Sequence, residues 1–415
     1  MRILWFTNTS SCYECNKSNR YNGGGWISSL QKIIEKDPNI QLAVSFHMND
    51  EPFKVVIKGT TYYPIPAVPY TTINKIIRFV FKGKNSIYKA QENYCLNSYL
   101  KVIEDYKPDI IHIFGSEQNF SLLAENTNIP IILHIQGFVT PILNAFFPPA
   151  ISEYKYIWSD FIPQNVIKRK RTISLFKKGA ERETRTLKKI NYYLGRTNWD
   201  YNCSKIYSPN SIYYHCDEIL RDSFYEQLPT VNRVKGRIVT TISSPLYKGE
   251  DLILKTAKLL KELDIEFEWR IFGIQSSSNI NNLLKISPNN VGIKYCGIID
   301  EKELKKELLE CSIYFHPTYI DNSPNSLCEA QILGCPIITT NVGGTSTLVE
   351  HGKTGYLIPA NDPFQAAYYI KSILYNTEKA KQMGIEGRNI AIKRHNPITI
   401  KQQLLLAYEQ INCNK

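Results

Sequence analysis

The sequence predicts an α/β protein built as two doubly wound units, each a parallel sheet flanked by helices, that face each other across a cleft. Three observations predict this. The chain has 415 residues, more than one ordinary core holds and enough for two. Short apolar runs alternate with longer helix-forming ones from end to end, the pattern of strand–helix–strand units. The series is interrupted once, after Glu226, by a charged and poorly apolar stretch to Gly236 that reads as a linker.

In chain order, MRILWFTNTS opens on a strand, Ile3–Thr7, and not on a secretory signal. A polar loop leads to Gly23, Gly24 and Gly25, where backbone can approach a ligand closely, and then to a helix over Ile27–Glu35. Further strands are expected at Leu42–Phe46, Ile110–Phe114, Ile131–Ile135 and Tyr192–Gly195. The second set is Ile238–Ile242, Glu268–Phe272, Gly292–Tyr295, Ile313–His316 and Ile337–Thr340, separated by helices such as Glu250–Leu263. The expected units are residues 1–228 and 229–395, followed by a terminal helix within 396–415. Ligands of such folds bind at the carboxyl ends of the strands.

Composition narrows the classes. No apolar run reaches the length that spans a bilayer. Ten cysteines are scattered, several inside expected strands and helices, as in a protein of a reducing compartment. Cys12-x2-Cys15 lacks a second pair at zinc spacing, so no metal site is expected. The net charge is +12, and residues 1–235 carry 30 Lys and Arg against 20 Asp and Glu. Such a half favours anionic partners. The densest run, residues 168–189, has ten basic and two acidic residues. It reads either as a solvated helix face or as a contact for anionic lipid. No recognition motif or stacking aromatics accompany it, so nucleic acid is not an expected partner. Neither a phosphate-binding GxxxxGK[ST] loop nor GxGxxG with an acidic partner is present, which disfavours kinases and nicotinamide enzymes.

The stretch His316–Gly355 carries the most chemistry. It reads loop, helix over Ser326–Leu333, strand, loop. Unpaired N–H groups around Asn325, Ser326 and Leu327 form an anion site at the helix start. Asp321 and Glu329, eight positions apart, bring two carboxylates beside it that accept hydrogen bonds from hydroxyls. A phosphate cradle with two such carboxylates suits a nucleotide sugar. Lys248-Gly249 follows another strand and precedes a helix; His134 ends a strand in LHIQG; Arg196 ends one in GRTNWD. Arg196 is a candidate for an acceptor or a phosphate, with an ion pair to Asp200 as the structural alternative.

The stretch resembles the glycosyltransferase family 4 enzymes of GT-B architecture, two Rossmann-like domains facing across a cleft. Their Glu-x7-Glu pair has its counterpart in Asp321-x7-Glu329, followed by AQILGCPII, Gly343-Gly344 and Glu350-x4-Gly355. The resemblance implies a retaining, metal-independent transferase with no cofactor. It would move a hexose-type sugar from a nucleoside diphosphate sugar to a glycan or lipid-linked acceptor, by family habit in surface polysaccharide synthesis. It implies that Lys248 and the N–H groups meet the donor diphosphate, Glu329 the ribose, Asp321 and His134 the sugar, Gly24 and Gly25 the phosphates, and Gly297 the base. The terminal helix, Ile398–Ile411, is expected to return to the first domain. Two departures stand out. The first acid is Asp321 where the family has Glu, and Ser243 stands where the family has a diphosphate-binding Arg. A GT-B nucleotide-sugar 2-epimerase and a non-catalytic sugar-nucleotide or membrane-binding protein are the rival readings. The expected location is cytoplasmic, on or near the inner membrane face.

Overall fold

A computed structural model describes residues 1–16, 25–49, 51–66, 72–226, 233–243, 246–276 and 280–414, with backbone alone for 14–16 and 72–87. Gly23, Gly24, Ser244 and the 227–232 part of the expected linker lie outside these residues.

The strands form two sheets. The first holds β1 (Arg2–Phe6), β2 (Gln41–His47), β3 (Val55–Ile57), β4 (Thr60–Ile65), β5 (Ile110–Phe114), β6 (Ile131–His134), β7 (Tyr192–Gly195) and β8 (Ile212–His215), in the order β3-β4-β2-β1-β5-β6-β7-β8. The second holds β9 (Val234–Thr241), β10 (Glu268–Phe272), β11 (Ile293–Gly297), β12 (Cys311–His316), β13 (Ile337–Thr340) and β14 (Tyr356–Ile358), in the order β11-β10-β9-β12-β13-β14. Every pairing is parallel except β3 with β4. Strands such as IIHIF, buried at all five positions, read as unbroken apolar runs because helices cover both faces. In each sheet the strand order reverses, between β1 and β5 and between β9 and β12, which creates the crevice where ligands bind.

Four strands escaped the sequence reading: β3, β4, β8 and β14. β3 and β4 form a tight hairpin through Lys58 and Gly59, both at positive φ. The helix Pro397–Cys413 lies on the first sheet. Its Ile400, Leu404, Tyr408 and Ile411 share a core with Ile3, Trp5 and Ile27. The Tyr408 hydroxyl accepts from Trp5 Nε1 at 3.0 Å and contacts His112 Nδ1. His112 is therefore a core histidine held by a partner 296 positions away. Among the described residues no helix is long and apolar enough to cross a membrane.

Candidate active site at the cleft between the sheets

A cavity of about 520 Å³ opens between the carboxyl ends of the two sheets. A larger hollow, about 810 Å³, surrounds Asp109 and Lys189 at the opposite ends of the first-sheet strands, away from the convergent charged groups. The candidate site is the first cavity, at the carboxyl ends of the strands.

The second sheet supplies one wall. The helix Asn325–Ile332 starts at the cavity with Pro324 as its cap residue and no side-chain cap bond. Asn325 and Ser326 line the cavity, and as the first two helical positions their N–H groups have no acceptor within the helix. Leu327 does not fit the expectation. Its side chain is buried in the core and its N–H donates to the Pro324 carbonyl at 2.9 Å. Ser243 lines the cavity too, as do Lys248 and Asp321.

Lys248 ends the short turn Leu246–Lys248, and Gly249 behind it has φ +83°. A Cβ at Gly249 would lie 2.0 Å from the Pro317 carbonyl oxygen, so only glycine lets the chain leaving β12 approach Lys248. Lys248 Nζ donates to Asp321 Oδ2 at 2.7 Å, and His316 Nε2 stands 3.4 Å from the same oxygen. Lys248 and Asp321, expected to act on different parts of the donor, are thus one ion pair. Burial pushes the Asp321 carboxyl up, but the Lys248 charge and then His316 outweigh it and hold it below the usual range. Burial likewise opposes the Lys248 charge, and Asp321 more than restores it.

Glu329 faces the cavity from the same helix. Both its oxygens accept from Arg221, from Nε and Nη2 at 2.8 Å each. Burial raises its pKa against the lowering effect of Arg221. Arg221 lies in the loop after β8, a segment without periodicity, and was missed by the sequence reading. Gly25, at the start of the helix Gly25–Ile34, lines the cavity; a Cβ there would meet the Arg221 side chain at 3.3 Å. Gly297, at φ +72°, exchanges backbone bonds with Ile274 and Gly273, and the neighbouring Ile298 and Ile299 form the cavity wall.

His134 also departs from expectation. It has no exposed surface, stacks on His112 at 5.3 Å and lies under Trp26 with ring centroids 5.0 Å apart. Trp26 lines the cavity; His134 does not. Burial, then Arg196 and His112, hold the imidazole well below its ordinary pKa. It is a neutral ring beneath the cavity floor, out of reach of a sugar.

Arg196 lines the cavity from the first sheet and is 3 % exposed. Its backbone N–H, not its side chain, donates to Asp200, at 2.8 Å. Its guanidinium lies over Trp26, 4.1 Å from the ring centroid, with Nε 3.3 Å from Glu218 Oε2. Glu218, which the sequence reading did not single out, is fully buried. Burial would raise its pKa, yet Arg196, His395, Ser323 and Cys328 bring it down to about 2. The next residue, Thr197, locks the sheets together. Its Oγ1 donates to Asn322 Oδ1 at 2.6 Å, and Asn322 Nδ2 donates to Asp200 Oδ2 at 2.9 Å. Gly344 permits the approach: a Cβ there would lie 2.3 Å from the Asn322 carbonyl oxygen and 2.6 Å from Thr197 Cγ2.

The basic run falls mostly in the helix Pro163–Thr186. Several of its ten basic residues are engaged within the protein. Arg169 grips Asp160, Lys177 pairs with Glu153, Lys178 with Glu181, and Arg185 with Glu92 and Glu125; Arg182 is buried against the Glu117 carbonyl. Lys168, Lys170 and Arg171 are exposed beside the exposed apolar side chains of Tyr154, Phe161, Ile162 and Ile167.

Two opposed parallel sheets, a cleft at their carboxyl ends and a returning terminal helix define the GT-B glycosyltransferase fold. Solved structures agree. Sucrose-phosphate synthase from Thermosynechococcus elongatus superposes with a TM-score of 0.69 at 14% identity, over 100% of both chains. Anabaena Alr3699/HepE, in complex with UDP and glucose, does so at 0.64 and 12% identity, over 99% of this chain and 100% of that one. Residues 232–390 match the family model for group 1 glycosyl transferases. One relative in sequence is the capsular polysaccharide biosynthesis glycosyltransferase CapM of Staphylococcus aureus, 28% identical over 189 residues, 44% of this chain and 48% of CapM. The chain spans less than half the length of the curated relatives it matches.

Proposed function

We propose that this chain is a retaining, metal-independent glycosyltransferase of the family 4 kind. It transfers a hexose-type sugar from a nucleoside diphosphate sugar to a hydroxyl of a glycan or lipid-linked acceptor, in surface polysaccharide synthesis. One observation carries the reading: Lys248, Asp321 and Glu329 converge with an open helix N-terminus on one cavity between the sheets. Negative charge develops on the leaving diphosphate during transfer. Lys248 and the N–H groups of Asn325 and Ser326 stabilise it there. Glu329, set by Arg221, accepts from the ribose. Asp321, set by Lys248 and Asn322, accepts from sugar hydroxyls. Residues up to about 228 and the terminal helix form the acceptor half, and 229–395 the donor half.

The exposed apolar and basic face at 154–171 favours peripheral attachment to an anionic bilayer on the cytoplasmic side. Aromatic and aliphatic groups enter the interface while lysines meet headgroups. The segment is linked to the cleft through Phe146, which packs on Tyr156 at 6.3 Å and on Tyr247, next to Lys248, at 6.1 Å.

Incubation with a panel of nucleotide sugars, with and without lipid-linked acceptor, tests the reading. Acceptor-dependent release of nucleoside diphosphate that survives EDTA is expected. Conversion of donor without acceptor indicates an epimerase, and binding without turnover a non-catalytic protein. Loss on chelation, restored by Mg²⁺, removes the metal-independent account.

A further inference from the structure

Ser243, which lines the cavity, stands where the resemblance to family 4 implies a diphosphate-binding Arg. Among the described residues, three Lys and Arg side chains line that cavity: Lys248, Arg221 and Arg196. The first two are committed. Lys248 donates to Asp321. Arg221 donates through Nε and Nη2 to Glu329 and through Nη1 to Glu301. Arg196 differs. Its Nη2 is buried and has no hydrogen-bond partner among the described residues. The Glu218 carboxylate sits 3.3 Å from Nε without forming a hydrogen bond. A buried guanidinium donor left unpaired is costly, by more than a neutral group would be. Such a donor on the wall of a polar cavity calls for an anion.

We propose that Arg196, carried by the first sheet, supplies the diphosphate cation that the second sheet lacks at Ser243. The donor diphosphate is then held from both sides of the cleft, by Lys248 and the Asn325 helix on one side and by Arg196 on the other. This rests on the nucleotide-sugar reading above. The geometry that permits it is the lock at the next residue. Thr197 is bonded to Asn322 and pressed on Gly344, so the end of β7 is registered directly against the donor loop. Trp26 supports the guanidinium from one face and Glu218 from behind. Glu218 is the buried counter-charge of the guanidinium, and Nη2 is left for the phosphate.

The test is binding of UDP, GDP and ADP, each alone, by calorimetry, with the parent nucleosides as controls. The wild type is expected to bind one of the three diphosphates. Arg196→Gln is expected to weaken that binding about ten- to a hundredfold, the range for losing a charge-assisted hydrogen bond, with nucleoside binding unchanged. Because Arg196→Gln leaves Glu218 buried and uncompensated, the double variant Arg196→Gln/Glu218→Gln is measured beside it. It is expected to keep the fold and show the same loss. Adding Ser243→Arg to the double variant should restore diphosphate affinity, because it returns the cation to the position it occupies in the family. Wild-type-like diphosphate binding by either Arg196 variant overturns the proposal and leaves Arg196 as a structural partner of Glu218. If the wild type binds none of the three diphosphates, the donor reading itself fails.

Discussion

Replacing Gly344 with Ala probes the contact that joins the two halves at the site. The added methyl would sit 2.3 Å from the Asn322 carbonyl oxygen, 2.6 Å from Thr197 Cγ2 and 2.7 Å from Thr197 Oγ1. Ordinary carbon–oxygen contact is about 3.2 Å or more, so one side must move by roughly an ångström. None of the three atoms is the end of a flexible side chain. Asn322 is backbone beside Asp321, and Thr197 caps the helix Asn198–Tyr207 in a capping box with Asp200. Overpacking of this kind costs about 1–3 kcal/mol. Separating Thr197 from Asn322 also breaks their buried bond, for about 1 kcal/mol more. At about 2–4 °C per kcal/mol for a unit of 150–250 residues, the thermal midpoint should fall by several degrees. Donor turnover should fall with it, since Asp321 and Arg196 lie next to the displaced atoms. Gly387→Ala is the control. It lies in the helix Thr377–Arg394, where a Cβ meets nothing nearer than 3.4 Å, and helix propensity should make it neutral or stabilising by up to about 1 kcal/mol. A Gly344→Ala protein that melts and turns over like wild type would refute the lock.

Further outcomes can be checked directly. Glu329→Gln should weaken nucleoside diphosphate binding by about 1.5–3 kcal/mol, whereas Asp321→Asn should leave that binding intact and slow turnover, as read by calorimetry and steady-state rates. Serines at Lys168, Lys170 and Arg171 should reduce sedimentation with anionic vesicles by about 1 kcal/mol per residue and spare donor hydrolysis; unchanged sedimentation returns this face to plain solvent. Glu218 has its pKa lowered on folding, from 4.5 to about 2, so its contribution is fully present above pH 4.5 and fades as pH falls toward 2. Denaturant titrations of Glu218→Gln should therefore lose less stability over that window than wild type, by about 3 kcal/mol; equal losses would show that Glu218 is not depressed.

Much of the second-sheet half was legible because its signals are local. The helix at Asn325, the acids eight positions apart and Lys248-Gly249 each follow from turn chemistry and period, and all but Leu327 of the expected second-sheet groups reach or border one cavity. What escaped depends on partners distant in sequence. His134 ends its strand as expected, but alternation along a strand does not say that Trp26 will cover its end. Arg221 and Glu218 lie in a loop with no periodicity; the sole signal was four charged residues in the apolar setting CDEILRDSF. β14 has only three residues, and β8 is an edge strand with no buried position, so neither presents an apolar run. The basic run was read by charge count alone. The pairing of Arg169, Lys177, Lys178 and Arg185 with local acids is a tertiary fact that charge count alone does not show.

The hydrogen bond from Trp5 to Tyr408 spans 403 positions, and its consequence concerns synthesis. A ribosome extending the chain at about 5–20 residues per second releases β8 some 10–40 s before Tyr408 emerges. Throughout that interval the groove that receives Ile400, Leu404 and Ile411 is open, with Ile3, Trp5 and Ile27 on its floor. The second sheet can close while the first still waits for its last helix. The nascent first half is then the aggregation-prone species, and a message cut short near residue 396 yields a chain whose second sheet is complete and whose first sheet has an uncovered core face.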